Sequence, residues 1–262
     1  MQNAEAHADI VTSLLYAKIV TAWIICYFLH ASFFKNMPVP VADSILYHMR
    51  HSCAHVLAQA MLAIFPDAKL GIGPVIENGF YYDFGLSRTL TPDDLKTLQK
   101  KMEEISRQKQ TFHRREEKIG SAIEELKKKD QPFKVDLAEQ FQREGSGVVS
   151  FYENRDRKDE VRFVDLCRGG HTETTGEIGA FQLMSIASAY WRGDEKNPQL
   201  QRVYGVCFET KEELQQYLQR LEEAKKRDHK VLGKQLELFT NSALVGGGLP
   251  LMLPRGAELK RN

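Results

Sequence analysis

Two pairs of side chains able to bind metal or move protons share one spacing, His51-Ser-Cys-Ala-His55 and Cys167-Arg-Gly-Gly-His171. On a helix, four residues place two imidazoles within about 40° of each other. Two glycines between a cysteine and a histidine permit a tight loop and close approach of a ligand to the backbone. One thiolate and three imidazoles suit tetrahedral Zn²⁺. Without metal, the same groups can position a water and hydrogen-bond a carbonyl. The residue types leave both chemistries open. Each pair also has a plain structural explanation: a solvated polar helix face shared with His48, and a small buried cysteine at a strand end.

The elements that must position these groups are legible from patterning. Asp43 or Ser44 caps a helix running to about Phe65. Leu46, Met49, Cys53, Val56, Leu57, Ala60 and Ile64 form its apolar stripe. His51 and His55 fall about 160° from that stripe's centre, so they are expected to face away from the main core, where Ala54 and Ala58 leave room for substrate or a second layer. Lys69–Val75 and Gly79–Phe84 read as a hairpin through Glu77-Asn78-Gly79, a turn suited to positive φ. Thr91-Pro92-Asp93-Asp94 starts a helix that extends to about Lys109.

A strand over Phe112–Glu116 follows, then helices over Ser121–Lys129 and Val135–Arg143, with Gly145-Ser146-Gly147 breaking the pattern. Val148–Tyr152, Val161–Leu166, Gln182–Tyr190 and Gln201–Phe208 read as strands without βαβ regularity. The fold class is α+β, with a mixed or antiparallel sheet and packed helices. Thr210 opens a helix expected to reach Leu238, and its stretch Arg220–Lys234 holds six Lys or Arg against three acids. The organisation expected is an atypical extension over 1–40, one domain over 41–209, a linker helix over 210–238, and the opening of a further domain over 239–262.

Composition constrains the partners. Lys and Arg number 36 against 35 Asp and Glu, so a nucleic-acid surface must be a local patch. Cys26, Cys53, Cys167 and Cys207 are widely spaced, which suits free thiols in a reducing compartment. Ile19–Phe34 is a sixteen-residue run without charge between Lys18 and Lys35. A spanning helix wants about 20 apolar residues, so an N-terminal extension is expected there, with Met37 or Met49 as internal starts.

The chain resembles the threonyl-tRNA synthetase family in its second N-terminal domain, a fold shared with alanyl editing domains. RHSCAHVLAQA (Arg50–Ala60), GIGPVIENGFYYDF (Gly71–Phe84), VDLCRGGHT (Val164–Thr172), AYWRGD (Ala189–Asp194) and LEEAKKRDHKVLGKQLEL (Leu221–Leu238) occur in that family's order. Gly246–Asn262 resembles the entry into the class II catalytic domain, which favours the threonyl over the alanyl branch. Residues 1–40 do not resemble the small domain that usually opens the bacterial enzyme.

The resemblance implies a cytoplasmic enzyme that hydrolyses seryl-tRNA(Thr). His51, His55, Cys167 and His171 would line the pocket, with Asp165 and Lys134 contributing; each of the last two could instead be an ordinary surface charge. The four His and Cys residues are the alternative zinc ligands. Arg220, Lys225, Lys226, Arg227 and Lys230 are the expected tRNA contacts, with no DNA or membrane partner. ATP, Mg²⁺ and a catalytic zinc belong, by the same resemblance, to class II motifs beyond Asn262, as does the homodimer interface. Aminoacylation by these residues alone is therefore not expected. Two other readings are a free-standing zinc-dependent trans-editing hydrolase and a non-catalytic tRNA-binding fragment.

Overall fold

The computed structural model describes residues 44–241 and 249–261. The apolar run at 19–34, Cys26 and the glycines 246–248 lie outside the described residues. Among the described residues no helix is long and apolar enough to cross a membrane.

Ser44 Oγ accepts from the Tyr47 amide at 3.1 Å and starts α1 (Ile45–Ile64). From Met49 to Met61 every residue of α1 except His51 is buried. The expected one-faced helix is therefore a central helix covered on both sides. Its apolar stripe packs on one sheet and its histidine face meets another, which removes the solvated-face explanation for the histidines.

The first sheet contains β1 (Lys69–Leu70), β2 (Val75–Ile76) and β3 (Gly79–Gly85). The strand expected over Lys69–Val75 is thus two short pieces, interrupted at Gly71–Pro74, where the proline has no amide for the ladder. Glu77 and Asn78 close the β2–β3 hairpin, in which Ile76 faces Gly79. Neither they nor Gly79 have positive φ, contrary to expectation.

Helix α2 (Pro92–Gln108) begins at the expected cap, which the structure makes reciprocal between Thr91 and Asp94. Strand β4 (Thr111–Lys118) leads to α3 (Ile119–Lys128) and α4 (Pro132–Arg143). Then come β5 (Val148–Arg155), β6 (Val161–Leu166), β7 (Ala180–Tyr190) and β8 (Gln199–Phe208).

The larger sheet runs β1-β3-β8-β7, with β2 also on β3; β4-β5-β6 form a second sheet. Every described ladder is antiparallel. The main core joins α1 and α2 to the larger sheet through Leu57, Met61, Phe80, Phe84, Leu98 and Val203. A smaller core packs Ile119, Ile123 and Leu126 of α3 with Ala138 of α4 against Phe151 and Leu166. Helix α1 also touches β6, so it bridges the two sheets.

The single helix expected from Thr210 to Leu238 is two, α5 (Lys211–Lys226) and α6 (His229–Gln235). The physical cause is Asp228, whose carboxylate accepts from the Lys230 amide at 2.7 Å and caps a new helix. A hairpin of β9 (Phe239–Asn241) and β10 (Pro250–Met252) and helix α7 (Pro254–Arg261) follow.

Candidate active site

Helix α1 presents His51 and His55 one turn apart, and the end of β6 delivers Cys167 and His171 onto the same spot. The Cys167 Sγ lies 3.3 Å from His51 Nε2 and 3.4 Å from His171 Nε2. One ligand atom from each of the four residues lies within 4.8 Å of the others, so the cluster could hold a metal ion.

The loop reaches this position through Gly169 and Gly170, with φ of +104° and +83°. A Cβ on Gly169 would collide with the Tyr152 hydroxyl, and one on Gly170 would crowd Tyr47 and His48. The turn in turn aims the Gly169 amide at Cys167 Sγ, 3.3 Å away.

A second layer fixes the imidazoles. His171 stacks on Phe112 at 4.8 Å and 6°, and on His51 at 4.3 Å and 23°. Its Nδ1 is 3.1 Å from Ser52 Oγ, which also accepts the Thr172 amide at 3.0 Å. His55 is 2% exposed, and its Nδ1 has no hydrogen-bond partner among the described residues.

Beneath the histidines sits a buried ionic group. Lys134 Nζ is 2.7 Å from Asp165 Oδ1, and both residues are buried. Tyr82 donates to Asp165 Oδ2 at 2.5 Å, and His55 Nε2 is 3.9 Å from the same oxygen. Lys134 is therefore neither a surface cation nor a solvated charge. Burial and the neighbouring carboxylate of Asp165 raise the Tyr82 phenol well above its ordinary range, which keeps it a donor.

Burial governs protonation across the site. It lowers His55, an effect increased by His171, His51 and Lys134, and it lowers His171, with His51 and His48 adding. It lowers His51 too. It pushes the Cys167 thiol up to about 12. The groups are thus three neutral imidazoles and a protonated thiol. His51, His55 and Cys167 open onto a cavity of about 680 Å³, whose walls also include Tyr47, Tyr82, Lys134, Asp165, Arg168 and Gly169.

All six sequence-derived site residues, His51, His55, Lys134, Asp165, Cys167 and His171, come together here. Arg220, Lys225 and Lys226 on α5, Arg227 just after it and Lys230 on α6 are exposed, and none lines this cavity. Ser52, Tyr82, Phe112 and the Gly169 amide were missed. Ser52 lies inside the His51–His55 motif, but its serine type alone carries no signal of contact with residue 171.

Residues 149–204 match the family described as the threonyl and alanyl tRNA synthetase second additional domain. The chain is 50% identical to the threonine--tRNA ligase of Thermobifida fusca over 225 residues, covering 81% of this chain and 34% of that protein. It is 48% identical over 221 residues to the ligase of the same name from Dehalococcoides mccartyi strain CBDB1, covering 84% and 36%. Against that of Nocardioides sp. it is 45% identical over 230 residues, covering 81% and 34%. The chain thus spans about a third of the length of these relatives. Over that third, with β5 through most of β8 inside the matched second additional domain, the chain belongs to the threonyl-tRNA synthetase family.

Proposed function

We propose that this chain hydrolyses the ester joining serine to threonine-specific tRNA, proofreading the ligation that gives its relatives their name. The observation that carries the proposal is the convergence of His51, His55, Cys167 and His171 in one cluster, the first three of them lining a cavity that also holds the buried Lys134–Asp165 pair. A pocket that selects threonine rejects serine, one methyl smaller, by only about 1–3 kcal/mol, so a second hydrolytic site has a physical purpose. Residues 41–209 would form the editing unit, 210–238 the linker and 239–262 the opening of the catalytic region.

The protonation states favour water as the nucleophile. A thiol held near 12 is protonated at neutral pH and is a poor attacking group. Neutral imidazoles can take a proton from water as its oxygen bonds to the ester carbon, and return one to the leaving ribose oxygen. Cys167 then serves as a hydrogen-bonding wall between His51 and His171. Lys134 and Asp165 neutralise each other and set the floor on which His55 rests.

The donor set also fits zinc. Separations of 3.3 and 3.4 Å from sulfur to imidazole nitrogen are close to the edges of a tetrahedral site, and Ser52 supplies the outer contact that metal-bound histidines commonly have. His51, His55, Cys167 and His171 would hold the ion, which would supply a more acidic bound water. This second reading keeps the hydrolytic role.

The test is deacylation of Ser-tRNA(Thr) against Thr-tRNA(Thr) by the purified chain, with His55→Ala and Cys167→Ala in parallel. Selective loss of serine that both substitutions abolish supports the proposal. A folded chain that binds tRNA yet hydrolyses neither ester would refute it and leave a non-catalytic binding role.

A further inference from the structure

A second concavity, of about 990 Å³, lies at the other end of the same two elements. Gln59, Leu62 and Ala63 of α1 and Val161–Val164 of β6 line it, whereas the first cavity takes His51, His55 and Asp165–Cys167. Val161 to Leu166 spans about 17 Å of extended chain, which sets the approximate separation of the two openings. His55, packed on Phe163 at 5.8 Å and Phe112 at 6.3 Å, occupies the wall between them.

The charges around this second cavity are one-sided. Lys101, Arg107, Lys129, Arg157, Lys158 and Arg162 line it, with Asp156 as the only acid among the lining residues. Lys101, Lys129 and Arg162 are paired with Glu104, Glu125 and Asp156. Arg107, Arg157 and Lys158 are exposed and make no ion pair among the described residues. Helix C-termini account for Arg107 and Lys129 through the helix dipole. No helix ends near Arg157 and Lys158, which sit in the β5–β6 turn.

Gln110, which lines this cavity, is 1% exposed, and its Oε1 has no hydrogen-bond partner among the described residues, while its Nε2 donates to Gln108 Oε1 at 2.6 Å. An unmet acceptor beneath unpaired cations matches a ligand that brings both negative charge and a donor. Inorganic phosphate brings a single anion with its own hydroxyl, too small to meet three separate cations and Gln110 together. The ribose–phosphate unit of RNA has phosphate and a 2′-hydroxyl.

We propose that this cavity binds the sugar–phosphate backbone of RNA, with Arg107, Arg157 and Lys158 on phosphates and Gln110 Oε1 on a ribose hydroxyl. That the RNA is the tRNA whose aminoacyl end enters the first cavity rests on the proposed hydrolytic function. The two cavities would then grip one molecule at points about 17 Å apart.

The experiment compares the full chain with a variant carrying Arg107→Gln, Arg157→Gln and Lys158→Gln. Binding of a tRNA(Thr) transcript is measured across salt concentrations, with inorganic phosphate as competitor and hydrolysis of a seryl-adenosine ester as readout of the first cavity. Three lost phosphate contacts should weaken binding at least tenfold near ~50 mM salt and flatten the log K against log salt slope by about two to three. Seryl-adenosine hydrolysis and the melting temperature should stay at the parent's values. Unchanged affinity and slope would overturn the proposal, as would inorganic phosphate displacing RNA completely at low millimolar concentration. Should the parent bind tRNA with the steeper slope yet hydrolyse no seryl ester, the RNA site stands and the hydrolytic reading fails.

Discussion

Ser52 Oγ lies 3.1 Å from His171 Nδ1, joining the helix that carries two site histidines to the loop that carries the third. The same oxygen accepts the Thr172 amide, so the backbone of the loop holds the hydroxyl in place. Ser52→Ala should therefore free the His171 ring. Ester hydrolysis is expected to fall about 10- to 100-fold, in the range seen when an outer partner of a functional histidine is lost. Stability should fall by about 1–2 kcal/mol for the abandoned partners. Deacylation rates and urea melts of the variant check both; full activity would remove Ser52 from any positioning role.

The Lys134–Asp165 pair is buried, so breaking it from one side leaves a charge without a counter-ion. Lys134→Met is expected to cost about 3–5 kcal/mol. Lys134→Met combined with Asp165→Asn should cost less than the sum of the two single changes, because the double variant contains no unpaired ion. Denaturant unfolding of the four proteins gives the coupling directly, and simple additivity would show that the pair acts independently.

Stability should fall with acid over the window set by the histidines. Burial lowers the folded-state pKa of His51, His55 and His171, so below about 6.5 the unfolded chain binds more protons than the folded one. The contribution is complete above that pH and is lost as pH falls toward the folded values. Beyond burial, His171 and His51 oppose protonation of His55, and Lys134 adds to them. Melting temperature measured between pH 8 and 5 should drop through this range, and His55→Gln should make the drop shallower. A flat profile would contradict neutral buried imidazoles.

Gly169 and Gly170 shape the loop after Cys167. At φ of +104° an alanine is strained wherever it is placed, and here its methyl would meet the Tyr152 hydroxyl. Gly169→Ala is expected to destabilise by about 1–3 kcal/mol and to displace Cys167 and His171 from α1. Hydrolysis should be lost in a protein whose far-ultraviolet circular dichroism is retained. Gly147→Ala, where an added Cβ meets nothing within 4 Å, is the matched control.

Local signals in the sequence determined most of the elements and the two spaced pairs of the cluster, whereas Lys134 and Asp165 were named only through the family resemblance. The segment from Thr91 to Asp94 supplies the cap expected of it, and the apolar stripe of α1 joins the main core, because caps and helical periodicity act over a few neighbouring residues. Asp228, two residues after the adjacent Lys225 and Lys226, had the type of a cap, yet continuous amphipathic patterning around it concealed the break between α5 and α6. Other outcomes depended on residues far apart in the chain. Whether His51 and His55 faced water or a second sheet was decided by β6 folding over α1, a contact across more than a hundred positions. The same long-range packing buried Lys134 against Asp165, placed Ser52 on His171, and set Gln110 beneath a ring of arginines and lysines. Residue type and spacing say which groups can bond; only burial and approach in three dimensions say which ones do.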